Sequence, residues 1–242
     1  MVKEILVYED DSLIVAEKPA FMLSIPDRFS PEKENLLDLL RETREEVYTV
    51  HRLDRETSGI ILFAKTREAH RDLSLQFEKR EVSKKYLALV DGAVMEEEGR
   101  IEQPIGESQS HPGKMEITKR GKPSLTLYKV LERFKGYTLV EADIQTGRTH
   151  QIRVHFAAIG HPLTVDSLYG QREAFFLSEI KGKKFQLGKY QEERPLMTRT
   201  TLHAWRLQFR HPESGEMMDI QSELPKDFAA LLNQMRKWAA VR

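Results

Sequence analysis

Short apolar runs separated by polar turns dominate the chain. Residues 5–8 and 13–16 form two such runs, joined by Glu9-Asp10-Asp11-Ser12, and Lys18-Pro19 closes the second. Residues 24–34 hold Pro26, Asp27, Ser30 and Pro31 and read as a loop, with Pro31 placed to open a short helix through Leu36, Leu37, Leu39 and Leu40. Residues 60–64 are five apolar positions in a row, the pattern of a buried strand. Thr66 then suits a helix cap, and Ala69, Leu73 and Phe77 fall on one helical face. Residues 84–90 alternate as a strand, Tyr86, Ala88 and Val90 against Leu87 and Leu89. Residues 125–131 and 137–144 read as paired strands around Lys135-Gly136. Gly147 precedes a helical segment over 149–159 with Ile152, Phe156 and Ile159 as its apolar stripe, and Gly160 suits a left-handed cap before His161-Pro162. Near the end, 203–209 alternates as a half-buried strand in which Trp205 and Phe209 read as core. Residues 216–220 follow as another strand, and Pro225 starts a helix with Phe228, Leu231, Leu232 and Met235 on its inner face.

Many short strands with interspersed helices, no regular βαβ repeat and no glycine-rich nucleotide loop predict an α+β protein built on a large, mostly antiparallel sheet. No low-complexity linker offers a cut, so residues 1–242 are expected to form a single domain, with 171–200 as a loop excursion of little regular structure. Hydrophobic residues make up 40% and charged residues 31%, an ordinary globular composition. No apolar run is long enough for a membrane span, the charged Met1-Val2-Lys3-Glu4 start is unlike a signal peptide, and the expected location is the cytoplasm. Cysteine is absent, which excludes disulfides, thiolate catalysis and thiolate metal sites. Lys+Arg and Asp+Glu both number 38, so bulk charge does not advertise nucleic-acid binding, although its distribution still allows a cationic face. Candidate clusters are Lys79-Arg80 with Lys84-Lys85; Lys114, Lys119, Arg120 and Lys122; and Lys181, Lys183, Lys184 and Lys189. No long heptad or exposed apolar repeat calls for a partner copy, so a monomer is expected.

Two polar clusters carry candidate chemistry. In Val50-His51-Arg52-Leu53-Asp54-Arg55-Glu56-Thr57-Ser58-Gly59, just ahead of the buried strand, Asp54 lies between two arginines that favour its carboxylate form. Such a carboxylate near a sugar can serve as nucleophile or base; a surface loop with local ion pairs fits the same pattern. In the second cluster, residues 145–155, a helix start would favour anions and bring Arg148 and His150 to a phosphate or sugar. Arg153, about 100° further round the helix than Ile152, is placed to pair with a carboxylate. His150 and His155 are five apart and do not share a helical face, so no metal site is expected.

On these residues the chain resembles the RluA family of RNA pseudouridine synthases. His51-Arg52-Leu53-Asp54-Arg55-Glu56-Thr57-Ser58-Gly59 matches the family's H-R-L-D-x-x-T-S-G stretch, and Gly147-Arg148-Thr149-His150-Gln151-Ile152-Arg153-Val154-His155 matches its later arginine motif. Lys84-Lys85-Tyr86-Leu87-Ala88 matches the tyrosine segment, Glu17-Lys18-Pro19 the early motif, and Gly160-His161-Pro162, Tyr169-Gly170 and Leu202-His203-Ala204 further signatures, all in family order. The resemblance implies a pseudouridine synthase catalytic fold: a mixed, mostly antiparallel sheet, flanking helices and a central RNA-binding cleft. It implies Asp54 as the catalytic aspartate, Tyr86 against the flipped uracil and assisting loss of the C5 proton, and Arg153 paired with Asp54. It also implies Arg52 as an RNA-opening residue, Ile152 as an apolar surface near the ring, and Arg148 and His150 as backbone contacts. The reaction breaks N1–C1′ and makes C5–C1′ with no redox step, so no cofactor is expected, and the target base must leave its stack. Attack at the sugar, removal of a 2′ proton and addition to the base all stay open as routes, the resemblance leaning to a glycal-type intermediate.

Two departures stand out. The family often has glycine where this chain has Phe21, and the common Gly-Asp ahead of Tyr-Gly is Val165-Asp166. The first strand begins by residue 5, so the S4-type RNA-binding domain of many relatives is not expected, as in the compact branch of the family, whose targets are stem-loops of ribosomal or transfer RNA. The 114–122 basic stretch is a candidate loop over such a hairpin. Two other readings stand beside this one: a catalytically inactive RNA-binding relative, disfavoured by the intact Asp54, Tyr86 and Arg153, and a carboxylate-based glycoside hydrolase, which would need a second placed carboxylate.

Overall fold

The computed structural model describes residues 5–188 and 192–241; Met1-Val2-Lys3-Glu4 and Lys189 lie outside the described residues. In chain order the elements are β1 (Leu6–Glu9), β2 (Leu13–Lys18), α1 (Leu36–Arg41), β3 (Tyr48–Thr49), β4 (Ser58–Ala64), α2 (Arg67–Glu78) and β5 (Ser83–Asp91). There follow β6 (Glu98–Glu102), β7 (Ile105–Glu107), β8 (Met115–Ile117), β9 (Leu125–Phe134), β10 (Tyr137–Ile144), α3 (Gln151–Ala158), α4 (Leu177–Lys181), β11 (Leu202–Arg210), β12 (Met217–Gln221) and α5 (Lys226–Trp238). The chain divides into two compact units, one made of Met1–Tyr86 with His203–Glu223, the other of Leu87–Leu202 with Leu224–Arg242.

In the first unit the strands run in the order β1-β2-β4-β11, with β12 on β11 and β3 on β4. All of these pairings are antiparallel except β4 with β11, where His203 faces Ser58 and Ala204 faces Gly59 in parallel register. Every residue of β4 is buried, as its unbroken apolar run predicts. Its Ile60 and Leu62 pack with Leu13, Val15, Leu73 and Phe209. Thr66 caps α2 by accepting the Ala69 N–H at 3.1 Å. Pro31 does not open α1; Asn35 caps it instead, its side-chain oxygen accepting the Asp38 N–H at 2.9 Å, because a hydrogen-bonding side chain satisfies a free helix N–H and a proline ring does not.

In the second unit β5 is followed across the sheet by β10, β9 and β6, and β7 with β8 makes a separate two-stranded arm. Phe134, Tyr137, Phe175 and Met197 close a core with Phe228, Leu231, Leu232 and Met235 of α5, the helix face read from sequence. The 171–200 excursion is more ordered than its composition predicts. It holds α4, a 3-10 turn over Gly182–Lys184 and a bridge between Phe175 and Met197, both buried. Polar composition hid these elements because, among the described residues of the segment, only Phe175 and Met197 are buried apolar anchors. Among the described residues no helix is long and apolar enough to cross a membrane, and no group of three or more His, Asp or Glu is placed to hold a metal ion.

Candidate active site

In the first unit Asp54 sits, half-buried, on the loop between β3 and β4. The loop is fixed at several points. The Leu53 N–H donates to Ser24 Oγ at 3.0 Å and Ser24 Oγ donates back to the Leu53 carbonyl at 2.9 Å. The Thr57 N–H closes a turn onto the Asp54 carbonyl at 3.1 Å. Lys18 is fully buried, and its ammonium donates to the carbonyls of Pro19 (2.9 Å), Met22 (2.8 Å) and Arg55 (3.1 Å). A buried charge is tolerated only with such partners, so the early Lys-Pro motif ties β2 to the aspartate loop. Arg55 Nε adds a bond to the Phe21 carbonyl at 3.2 Å. Phe21 has φ 67°, the left-handed region in which glycine is unstrained, and this explains why the resembling family favours glycine there.

His51 anchors the start of the loop. Its Nε2 accepts the Leu62 N–H at 3.0 Å, and its ring stacks on Phe77 with centroids 4.9 Å apart. The ammonium of Lys84 lies 5.2 Å from the same Phe77 ring. Burial first, and the Lys84 charge second, push the His51 pKa down to about 3. The folded ring is therefore neutral where an unfolded one would begin to protonate near pH 6.5. Stability from this group is complete above about pH 6.5 and declines as pH falls toward 3. His51→Gln is expected to flatten that decline by up to roughly tenfold in the folding constant per pH unit, read from urea unfolding at pH 4 to 7.

Gly59 has φ 116°, and a Cβ there would overlap the Ala204 carbonyl of β11. Close passage of two backbones at the end of the aspartate loop thus requires glycine. Gly59→Ala is expected to cost roughly 3 kcal/mol or more, seen as a lower urea midpoint, because both the dihedral and the β4–β11 pairing must change. Beside it, Ser58 Oγ lies 2.9 Å from His203 Nδ1, and His203 Nε2 lies 3.1 Å from Ser222 Oγ, which donates to Glu17 Oε2 at 2.7 Å.

Tyr86 is buried on β5 in the same unit as Asp54. Burial, and after it the negative charge of Asp54, push its phenol up from the ordinary value. The two side chains thus share one electrostatic neighbourhood, and the phenol stays protonated across the physiological range.

In the second unit the arginine motif forms the start of α3. The helix begins at Gln151, two residues later than the apolar stripe predicts, because His150 takes a left-handed conformation, φ 56°, that interrupts right-handed winding. Residues 151 to 156 are all buried, so α3 is enclosed on every side and is not the single-striped helix expected from sequence. Gly160, with φ 85°, ends it as predicted. Arg153 is held by Asp166 through two bonds, Nε to Oδ2 at 2.7 Å and Nη2 to Oδ1 at 2.8 Å, with both side chains buried. Asp166 also accepts the N–H groups of Leu168 (2.9 Å) and Tyr169 (3.0 Å). Burial pushes the Asp166 carboxyl up, but the Arg153 bonds and charge with those two N–H groups outweigh it and hold the pKa below its usual value.

Around this pair the Arg153 guanidinium lies 5.0 Å from the Tyr169 ring centroid, and the Lys114 ammonium lies 5.4 Å from it. The Tyr169 hydroxyl accepts the Met115 N–H at 2.8 Å and sits 2.8 Å from His150 Nδ1. Arg148 Nε donates to the Pro123 carbonyl at 3.2 Å. Gln151 uses its whole amide: it accepts from Thr146 Oγ1 (2.7 Å) and the Arg148 N–H (3.1 Å) and donates to the Leu125 carbonyl and Thr126 Oγ1 (both 3.0 Å). The arginine motif is thereby locked to β9 and to the β7–β8 arm.

A family model described as RNA pseudouridylate synthase matches residues 12–158, which hold both the aspartate loop and α3. This chain belongs to that family. Among curated relatives, ribosomal large subunit pseudouridine synthase D of Nitrosomonas europaea is 38% identical over 236 residues, covering 96% of this chain and 65% of the relative. Its namesake from Neisseria meningitidis serogroup B is also 38% identical, with 61% of its length covered, so the chain spans less than two thirds of both. The uncharacterized RNA pseudouridine synthase YlyB of Bacillus subtilis is 34% identical over 96% of this chain and 73% of its own. The solved structure of human RNA Pseudouridylate Synthase Domain Containing 4 matches with a TM-score of 0.73 at 22% identity, over 97% of this chain and 94% of that one, which shows the shared α+β fold.

Within this pseudouridylate synthase fold the sequence-selected residues fall into two groups. Asp54 and Tyr86 both belong to the first unit, with Arg52 exposed on the same loop as Asp54. Arg148, His150, Ile152 and Arg153 gather in the second, where Ile152 is 4% exposed and packed into the interior. Sequence reasoning assigned no role to Asp166, Tyr169 or Lys18. Lys18 and Tyr169 stand in signatures that matched the family in order, and Asp166 keeps the acid of the Gly-Asp pair whose glycine this chain replaces with Val165; these were the available signals.

Proposed function

We propose that this chain is an RNA pseudouridine synthase that isomerises a uridine in a stem-loop of structured RNA, with Asp54 as its catalytic residue. The carrying observation is the pinned aspartate loop, which holds Asp54 ahead of the buried β4 in the same compact unit as the buried Tyr86 ring. Family membership and relatives named for the ribosomal large subunit support ribosomal RNA as the substrate. The carboxylate acts on the extruded nucleoside, N1–C1′ breaks, the uracil turns in place, C5–C1′ forms and the C5 proton leaves. Electrons and atoms are conserved, so the reaction calls for no cofactor. Tyr86, kept neutral, offers its ring for stacking against the flipped base and its hydroxyl as a donor; a neutral phenol is a weak base, which assigns it no more than assistance in losing the C5 proton. Arg153, oriented by Asp166, is the cation proposed to face the Asp54 carboxylate. Arg52, Arg148, His150 and Ile152 are proposed RNA contacts or supports, and the exposed Lys119, Arg120 and Lys122 support the reading of the arm as a phosphate-contacting loop. The chain leaves the first unit at Tyr86 and returns to it at His203, which supports the reading of residues 1–242 as one catalytic domain.

Pseudouridine mapping of total RNA from cells with and without the gene tests this reading. One or a few ribosomal positions are expected to lose modification with the gene and regain it with the wild-type copy; an unchanged map would overturn the proposal.

A further inference from the structure

The second unit carries a cationic patch made of none of the active-site residues. Two segments far apart in sequence build it: residues 181–185, which follow α4, and the last turn of α5. Ile180 of α4 packs on the core formed by Phe228, Leu231 and Met235, and this brings the two segments together. The ammonium of Lys181 lies 5.0 Å from the Trp238 ring centroid and 6.0 Å from that of Phe185, and the ammonium of Lys237 lies 5.3 Å from Trp238. Lys183, Lys184 and Lys237 are exposed. Among the described residues none of these four lysines has a carboxylate partner within ion-pair distance. The acids beside these segments are committed elsewhere: Glu179 to Arg172 at 2.8 Å, Glu193 to the Ser178 N–H at 2.8 Å, and Glu132 to Arg236 at 2.9 Å on the last turn of α5.

Two ammonium groups flank one indole, and two more lysines are exposed on the adjoining residues 183 and 184, a concentration of like charge that a polyanion would relieve. Ammonium groups interleaved with aromatic rings are the combination that binds a nucleic-acid strand, phosphates on the cations and bases on the rings. We propose that this patch is a second RNA-contact surface, which grips the phosphodiester backbone of RNA flanking the target uridine. The inference rests on the RNA reading above and adds to it an anchoring site for substrate. Anchoring acts on capture and leaves the chemistry alone, so the patch contributes to KM and not to kcat.

The test compares the wild type with K181Q/K183Q/K184Q/K237Q, using a transcript of large-subunit ribosomal RNA as probe. Binding is measured across a salt series and pseudouridine formation at each RNA concentration. The expected result is a slope of log affinity against log salt shallower by about 3, a KM raised roughly tenfold near 0.1 M salt, and kcat within about twofold. If the quadruple variant melts early, K183Q/K184Q/K237Q, confined to exposed side chains, takes its place with proportionate effects. A wild type that makes pseudouridine while the variant keeps the same slope and KM overturns the patch and leaves the function intact. A wild type that binds the transcript with the patch-dependent slope but makes no pseudouridine defeats the enzymatic reading and supports the patch. A wild type that binds no RNA overturns both. Loss of binding to phosphatidylserine vesicles, with RNA binding unchanged, overturns the proposal in favour of a membrane surface.

Discussion

Asp54→Ala is expected to lower pseudouridine formation by at least about 10⁴-fold while RNA affinity stays within about threefold. The asymmetry follows from how the loop is held. Leu53 is fastened by Ser24, Thr57 closes onto the Asp54 main chain, and Lys18 grips the Arg55 carbonyl, so none of these anchors uses the Asp54 carboxylate. Removing the side chain therefore deletes the reacting group and leaves its mount. Asp54→Asn, which keeps the shape and loses the charge, is expected to be as inactive as alanine. Single-turnover assays on a uridine-containing ribosomal transcript check both, and equal pseudouridine yields from wild type and Asp54→Ala would remove Asp54 from the mechanism. A secondary signature is available in Tyr86: the Asp54 charge contributes to raising its phenol, so either variant should lower the alkaline titration of that tyrosine.

The second large effect is expected at Asp166. Its carboxylate makes two bonds to Arg153 and accepts two backbone N–H groups, and it is entirely buried. Asp166→Ala removes two hydrogen bonds and a countercharge from a buried guanidinium, and loss of one partner of such a pair costs about 3–5 kcal/mol. For a chain of this size that is a fall of roughly 10 °C in thermal midpoint. Activity is expected to fall with it, since Arg153 loses what orients it. Arg153→Met combined with Asp166→Leu should recover much of the stability lost by Asp166→Ala, because an apolar pair of similar volume removes the uncompensated charge. The double variant should nevertheless remain inactive. Recovery of stability without recovery of activity separates the cation's role in the reaction from its role in packing; a double variant with normal turnover would show that the buried pair serves packing alone.

Much of the fold was legible because the pattern was strong and local. The seven buried residues of β4, the capped helix after it, the β9–β10 pair around Gly136 and the apolar face of α5 each follow from periodicity and one or two turn residues. The failures have different causes. Pro31 lost α1 to Asn35, the arginine helix started late because His150 is left-handed, and 171–200 proved ordered around Phe175 and Met197. At α1 a competing local signal, the Asn35 cap, won over Pro31; in the other two a backbone dihedral or a long-range partner overrode the local pattern.

The amino-acid order alone selected the residues proposed to carry the chemistry, since a carboxylate among arginines ahead of a buried strand, with the tyrosine and arginine motifs following in family sequence, is a statement about neighbours along the chain. Tertiary structure decided who holds whom. It gave Arg153 to Asp166, gave the Lys18 ammonium to three carbonyls of the aspartate loop and its approach, and drew Lys237 and Trp238 to the lysines at 181–184. Hydrogen bonds and ion pairs act over a few ångströms of space whatever the separation in sequence, so these pairings exist only once the core has brought their backbones together.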